Sequence, residues 1–245
     1  MMDIDINCDV GEGVGNEAEL LPFISSCNIA CGGHAGDERS MRSVIRLAKK
    51  YGVSIGAHPS YPDRANFGRK TMALSPEALV ETIGFQVNGL VRLLAQENVP
   101  LSHIKPHGAL YNDLAKSEAL SVVFLSAITS FKGNCNVVVP YGSIFEKVAL
   151  EHGFSVRTEA FADRNYNDDL SLVSRAMESA VISRPEAVLE HLLTMVKKNQ
   201  VVTIAGSHVA LTADTYCIHG DTENALQIIT YLSRQLPKHD TQIRK

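Results

Sequence analysis

Asp9 and Glu12 stand just after an apolar run, in the segment Asn7-Cys8-Asp9-Val10-Gly11-Glu12-Gly13. Glycine neighbours let both carboxylates turn toward a common pocket, where a carboxylate beside other ionisable groups acts as a general base toward water, an effect of ~10²–10⁴-fold. The same stretch also reads as a glycine-rich turn carrying two solvated acids. His34, His58 and His107 share a position rather than a spacing: each follows a short apolar segment and precedes Ala35-Gly36, Pro59 or Gly108. Imidazole exchanges protons near neutral pH, which suits opening an amide, where the leaving nitrogen must be protonated. Lys105 precedes His107 by two residues, so in an extended segment both side chains face the same way. An ammonium there stabilises an oxyanion or a phosphate, or else pairs with a buried acid such as Asp9.

Further candidates surround these. Asn7 is placed to orient water or substrate, or to serve as a structural amide. Asp163-Arg164 reads as an internal salt bridge or as a pair that grips an anionic substrate, with the fork of Arg164 matched to a carboxylate. Asp221, supported by His219, is a site carboxylate or a helix cap. Asp9 with His34 and His58 is a candidate metal set, because one carboxylate and two imidazoles leave open coordination positions, although no spacing motif demands an ion.

These residues need a scaffold that gathers them. Short apolar runs, expected as strands, occur at Asp3–Cys8, Asn28–Cys31, Ser54–Ala57, Ser102–Lys105, Asn136–Val139, Ser155–Glu159 and Val201–Ala205, with an extra one at Tyr216–Ile218. Between them lie helical stretches: Asp37–Tyr51, Pro76–Asn98 opened by Ser75, Pro185–Asn199 with a capping box at Ser183-Arg184-Pro185-Glu186, and a last helix to Leu236 capped by Asp221 or Thr222. Alternation of this kind implies βαβ units around a parallel sheet. An open sheet gathers ligand chemistry at one switch point, whereas a closed barrel rings it around many strand exits. Here polar groups recur at every exit, so the expectation is a distorted, TIM-like (β/α) barrel of about seven strands, forming a single domain over 1–245 with a frayed tail at 238–245.

Composition narrows the partners. The chain has 245 residues, 45% hydrophobic and 20% charged, with a formal net charge of −4, which gives no reason to expect nucleic acid or a membrane surface. The acidic N-terminus and the lack of a clear apolar run of ~20 residues point to the cytoplasm. Five cysteines without a CxxC pair read as buried thiols. GxxxxGK[ST], HExxH and GxSxG are all absent, so the chain itself has no recognisable P-loop for ATP and no zincin or serine-hydrolase signature.

The segments "INCDVGEG", "NIACGGHAGD", "IGAHPSYPDR", "FGRK", "HIKPHGALYN", "EAFADRNY" and "CIHGD" together resemble the LamB/YcsF family over nearly the whole chain. Cys8 where alanine is usual, Asn66 before the FGR segment and Glu223 after HGDT are small departures. The resemblance implies a seven-stranded (β/α) barrel of the glycoside hydrolase/deacetylase type. It also implies the A-type component of a 5-oxoprolinase, which works with two other subunits, of B and C type, to open the lactam 5-oxoproline (pyroglutamate) to L-glutamate at the expense of ATP. The missing P-loop fits if those partners bind the nucleotide. On that reading the expected roles are that Asp9 or Glu12 activates water, His34, His58 and His107 shuttle protons, Lys105 meets negative charge and Arg164 holds the substrate carboxylate. The alternatives are a stand-alone metal-dependent deacylase and a non-catalytic lactam-binding subunit.

Overall fold

The structure, a computed structural model, describes residues 1–245. Its elements run β1 (Met2–Ile4), β2 (Ile6–Val10), α1 (Glu17–Leu20), β3 (Ser26–Ala30), α2 (Glu38–Tyr51), β4 (Ser54–His58), α3 (Pro76–Gln96), β5 (His103–Ile104), α4 (Gly108–Leu114) and α5 (Glu118–Ala127). They continue with β6 (Asn136–Pro140), α6 (Ile144–Glu151), β7 (Val156–Phe161), α7 (Pro185–Lys198), β8 (Gln200–Val202), β9 (His208–Ala210), β10 (Thr215–Cys217), α8 (Ala225–Gln235) and β11 (Thr241–Ile243). Seven strands close a barrel in the order β10-β2-β3-β4-β5-β6-β7, and every neighbouring pair is parallel.

The helix signals around α2 act where the sequence places them. Asp37 caps α2 by accepting from Ser40 N–H at 2.8 Å while Ser40 Oγ accepts from Asp37 N–H at 2.8 Å, and Gly52 ends the helix at φ 68°. Met41, Val44, Ile45 and Ala48 then face the barrel at helical spacing. At 21 residues, α3 is long and apolar enough to cross a membrane by length and composition. That corrects the expectation that no such run exists, yet Leu79, Ile83, Val87, Leu90 and Leu93 are buried, and α3 packs on α2, α5 and β4.

The apolar core lies between the strands and the helices, whereas the barrel lumen is polar. Asn7, Asp9, Asn28, His103, Lys105, Glu159 and Thr215 are all at most 5% exposed. Gly56 makes room for this filling, because a Cβ there would come within 2.2 Å of the His103 ring.

Five expectations need correction. Val201–Ala205 is not a barrel strand: the turn at Gly206 folds it into the antiparallel pair β8-β9 outside the barrel. The extra run at Tyr216–Ile218 is instead β10, which closes the barrel by pairing with both β2 and β7. No capping box forms at Ser183–Glu186, where Arg184 precedes α7 without a side-chain cap, and α8 starts after Asn224 rather than at Asp221 or Thr222. The tail does not fray: Thr241–Ile243 pairs in parallel with Met2–Ile4, and Thr241 is fully buried.

Candidate functional site

Parallel strands in a closed barrel deliver their following loops to one mouth. A cavity of about 400 Å³ opens there, and its lining includes Asp9, Glu12, His58, Lys105, His107, Glu159, Arg164, His219 and Asp221. His34 lies directly behind, its ring stacked on that of His107 at 3.6 Å between centroids.

The deepest part is a charged network. Lys105 Nζ sits 2.9 Å from Glu159 Oε1 and 3.1 Å from Asp9 Oδ1, and it donates to Asn7 Oδ1 at 3.3 Å. The Asn28 amide donates to Asp9 Oδ1 and Asn7 Oδ1, each at 2.8 Å, and accepts from His103 Nε2 at 2.7 Å. Asn7 in turn donates to Glu159 at 2.9 Å, and Tyr111 O–H donates to the other Glu159 oxygen at 2.8 Å. Burial opposes every charge here. Against it, His58 and Lys105 hold the Asp9 carboxyl well below the usual carboxylate range. Likewise Asp9, Cys217 and Glu159 outweigh burial and hold the Lys105 ammonium well above its usual value.

Above this layer stand three imidazoles and Glu12. Burial, Asp9 and Asp221 push the Glu12 carboxyl well up. Burial and neighbouring histidines push His34 and His107 far down, so neither ring is charged at neutral pH. The loop carrying Phe67 and Gly68 closes over them: a Cβ on Gly68, at φ 63°, would reach His34 Cβ at 2.9 Å and His107 Cδ2 at 3.0 Å. Only a residue without a side chain lets this loop rest on the rings.

At the rim, Asp163 accepts from His219 Nδ1 at 3.0 Å and from Thr222 Oγ1 at 2.6 Å, and these partners outweigh burial to hold its carboxyl low. Asp221 pairs with Arg69, a cation that sequence reasoning left unassigned. Thus neither Asp221 nor Thr222 caps a helix.

Asp9, Glu12, His34, His58, Lys105, His107 and Asn7 therefore meet within one connected cluster, with His219 and Asp221 at its rim. The Asp163-Arg164 pair does not form. Arg164 instead donates to the carbonyls of Ala180 at 3.0 Å and Val173 at 2.6 Å, pinning the loop that walls the cavity, while burial and Arg175 lower its pKa to about 10. The candidate metal set Asp9, His34 and His58 divides between two converging groups of ligand-type atoms, Glu12 with His34, His58 and His107, and Asp9 with Cys217 and His219. Sequence reasoning missed Glu159, Asn28, His103 and Tyr111. The available signal was an ionisable or amide residue at an alternate position of an otherwise apolar strand, which is costly to bury without partners.

A closed parallel barrel with a buried acid, amide and imidazole cluster at its strand exits defines a seven-stranded (β/α)-barrel protein. The chain matches the LamB/YcsF family over residues 4–245 and belongs to it. It is 40% identical to the A-type component of the 5-oxoprolinase of Pyrococcus furiosus, covering 99% of this chain and 97% of that one. A solved lactam utilization protein from Thermus thermophilus superposes with a TM-score of 0.92 at 36% identity, covering 99% of each chain. A peptidoglycan deacetylase from Bdellovibrio bacteriovorus shares the fold alone, with a TM-score of 0.50 at 12% identity over 98% of this chain and 51% of that one.

Proposed function

We propose that this chain is the lactam-handling subunit of an ATP-dependent 5-oxoprolinase, opening 5-oxoproline to L-glutamate with two partner subunits of B and C type. The observation that carries the reading is the Asp9–Lys105–Glu159 network buried at the floor of one small cavity, in a chain whose relatives bear the name of that component. A cavity of this size takes a ligand as small as a five-membered lactam.

Amide opening needs a nucleophilic water, a place for charge on the carbonyl oxygen and a proton for the leaving nitrogen. Asp9 takes the proton from water and returns it to the ring nitrogen, while Lys105 faces the developing oxyanion. Glu12 and the three imidazoles hold the water on the opposite wall. Arg69, Lys116 and Arg175 at the cavity mouth attract the substrate carboxylate, a task that Arg164 shares only in part because its fork is engaged by the loop. Asp9 is charged at working pH but a weak base, so the carbonyl must be activated first. The partners do this with ATP, by O-phosphorylation of the lactam; water then adds at that carbon, the C–N bond breaks as the ring nitrogen takes the proton, and the acyl phosphate so formed loses inorganic phosphate to a second water, leaving glutamate. Such an ATP-linked assembly works in the cytoplasm.

Reconstitution tests this. Glutamate release from 5-oxoproline by the ATP-handling partners requires this chain, and Asp9→Ala or His107→Ala lowers it by at least ~10²-fold with far-UV circular dichroism unchanged. Near wild-type turnover in both variants overturns the assignment. Because an imidazole cluster also suits a stand-alone metal-dependent deacylase, acetylated sugars and simple amides are assayed with the isolated chain, and turnover there favours that reading. Lactam binding with full complex activity in both variants identifies a non-catalytic binding subunit.

A further inference from the structure

The imidazole cluster has a hydrogen-bond pattern that its surroundings dictate. His58 Nδ1 lies 2.7 Å from the Lys105 carbonyl and His107 Nε2 lies 3.0 Å from the Phe67 carbonyl. A carbonyl only accepts, so both nitrogens carry hydrogen. Ser60 Oγ donates its single hydrogen to the Tyr61 carbonyl at 2.8 Å, so at 2.9 Å it accepts from His34 Nδ1. In its neutral form each ring then has one remaining nitrogen whose lone pair is free to bind an ion.

Those lone pairs converge. His58 Nε2 and His107 Nδ1 are 2.9 Å apart. Glu12 Oε1 lies 3.0 Å from His34 Nε2, 3.6 Å from His107 Nδ1 and 4.0 Å from His58 Nε2. Four possible ligand atoms thus lie within 4.8 Å of one another, and their side chains are at most 7% exposed. In the metal-free cluster they lean on one another pairwise, Glu12 on His34 at 3.0 Å and His58 on His107 at 2.9 Å, whereas one ion would draw on all four at once. Donor atoms each ~2.0–2.2 Å from a common ion would stand about 3–4 Å apart, which is the range seen here. Charge agrees: Asp9, Glu12 and Glu159 bring three carboxyl groups to this floor against the single ammonium of Lys105.

We propose that His34 Nε2, His58 Nε2, His107 Nδ1 and the Glu12 carboxylate form a binding site for one divalent transition-metal ion of the zinc type. Imidazole-rich donor sets take such ions in preference to magnesium or calcium. Ser60 Oγ and the carbonyls of Lys105 and Phe67 are the outer partners that fix each ring's tautomer and aim, as metal-binding histidines require. Gly68 is part of the same construction, since it lets Phe67 reach His107. When bound, the ion polarises water beside Asp9. The site goes beyond the lactam reading and stands without it.

The test uses the whole purified chain, stripped with chelator and titrated with cobalt(II) and with zinc. The expected result is one ion per chain by calorimetry, with visible cobalt d–d absorption. His34→Gln and His107→Gln weaken binding at least ~100-fold, whereas His152→Ala, at the C-terminal end of α6, binds as wild type. Circular dichroism checks each fold, and if the glutamine variants fail it, the isosteric Glu12→Gln must weaken binding at least ~tenfold. Absence of cobalt absorption and of binding heat with folded wild-type chain at millimolar metal overturns the site, as does unchanged affinity in His107→Gln. Since no turnover is read, that failure leaves the lactam reading to be judged by glutamate release alone.

Discussion

The two ends of the barrel hold buried carboxylates under opposite conditions. At the N-terminal end Asp5, 3% exposed, receives a donor or cation at both oxygens. Ser26 Oγ and Thr215 Oγ1 donate to Oδ1 at 2.9 and 2.6 Å, Arg157 pairs with Oδ1 at 2.9 Å, and Arg244 donates to Oδ2 at 2.7 Å. At the C-terminal end Glu12 and three imidazoles have chiefly one another as partners. Both ends are built from side chains that dislike burial, but the partners that offset it are hydroxyls and guanidinium cations at the base and other titratable groups at the mouth. A satisfied cluster locks strands and the tail together. A cluster whose titratable groups partner one another is poised to bind a cation or to exchange protons.

This contrast can be broken by exchanging charge for an amide at each end. Asp5→Asn leaves Arg157 facing an amide and should cost about 2–3 kcal/mol in denaturant unfolding, with glutamate formation per folded molecule unchanged. Burial raises the Asp5 pKa, but Arg157, Thr215 and Ser26 outweigh it and leave the folded-state value lowered. The sign follows: the contribution is fully present above the unfolded value of about 3.9 and is lost as pH falls through the lower folded value. Wild type should therefore show an acid-induced loss below about pH 4 that is smaller in Asp5→Asn. Activity falling as steeply as stability would mean that the two ends are not separable.

At the other end Glu12→Gln should have a smaller effect on folding and the opposite sign. In the metal-free chain an amide N–H can donate to His34 Nε2, 3.0 Å from the present oxygen, so stability should stay level or rise by up to ~1 kcal/mol. Glutamate formation should nonetheless drop. A loss matching that of Asp5→Asn would show that the mouth is as fully satisfied as the base.

What the sequence revealed follows the same division. Strand exits were legible because apolar runs end abruptly in ionisable residues, so Asp9, His34, His58, Lys105 and His107 could be placed at one mouth before any coordinates. The polar lumen was not legible. Asn28 and Glu159 lie within strands, and their partners come from strands far apart in the chain; nothing local tells an inward polar residue from one facing solvent. Asp221 and Thr222 have good capping chemistry, but Arg69 and Asp163 compete for them across the mouth. The identity of β10 and the order in the tail are likewise decided by pairing with the N-terminal strands β2 and β1, contacts that span most of the chain.

That last pairing gives the smallest predicted effect. Arg244 reaches Asp5 from β11's end, but its side chain is 56% exposed, so water and salt screen the pair. Arg244→Ala should cost no more than ~1 kcal/mol, and the difference from wild type should shrink in ~1 M salt. Ser25 Oγ still donates to the backbone of residue 244 at 2.6 Å, and the strand pairing Met2–Ile4 with Thr241–Ile243 is backbone-made, so the tail should stay docked in amide hydrogen exchange. If Arg244→Ala instead matches Asp5→Asn in cost and frees the tail, then the order of the C-terminus depends on its charge. The base of the barrel would in that case be held from outside by a single exposed cation, and its contrast with the mouth would lie in that cation rather than in the buried donors.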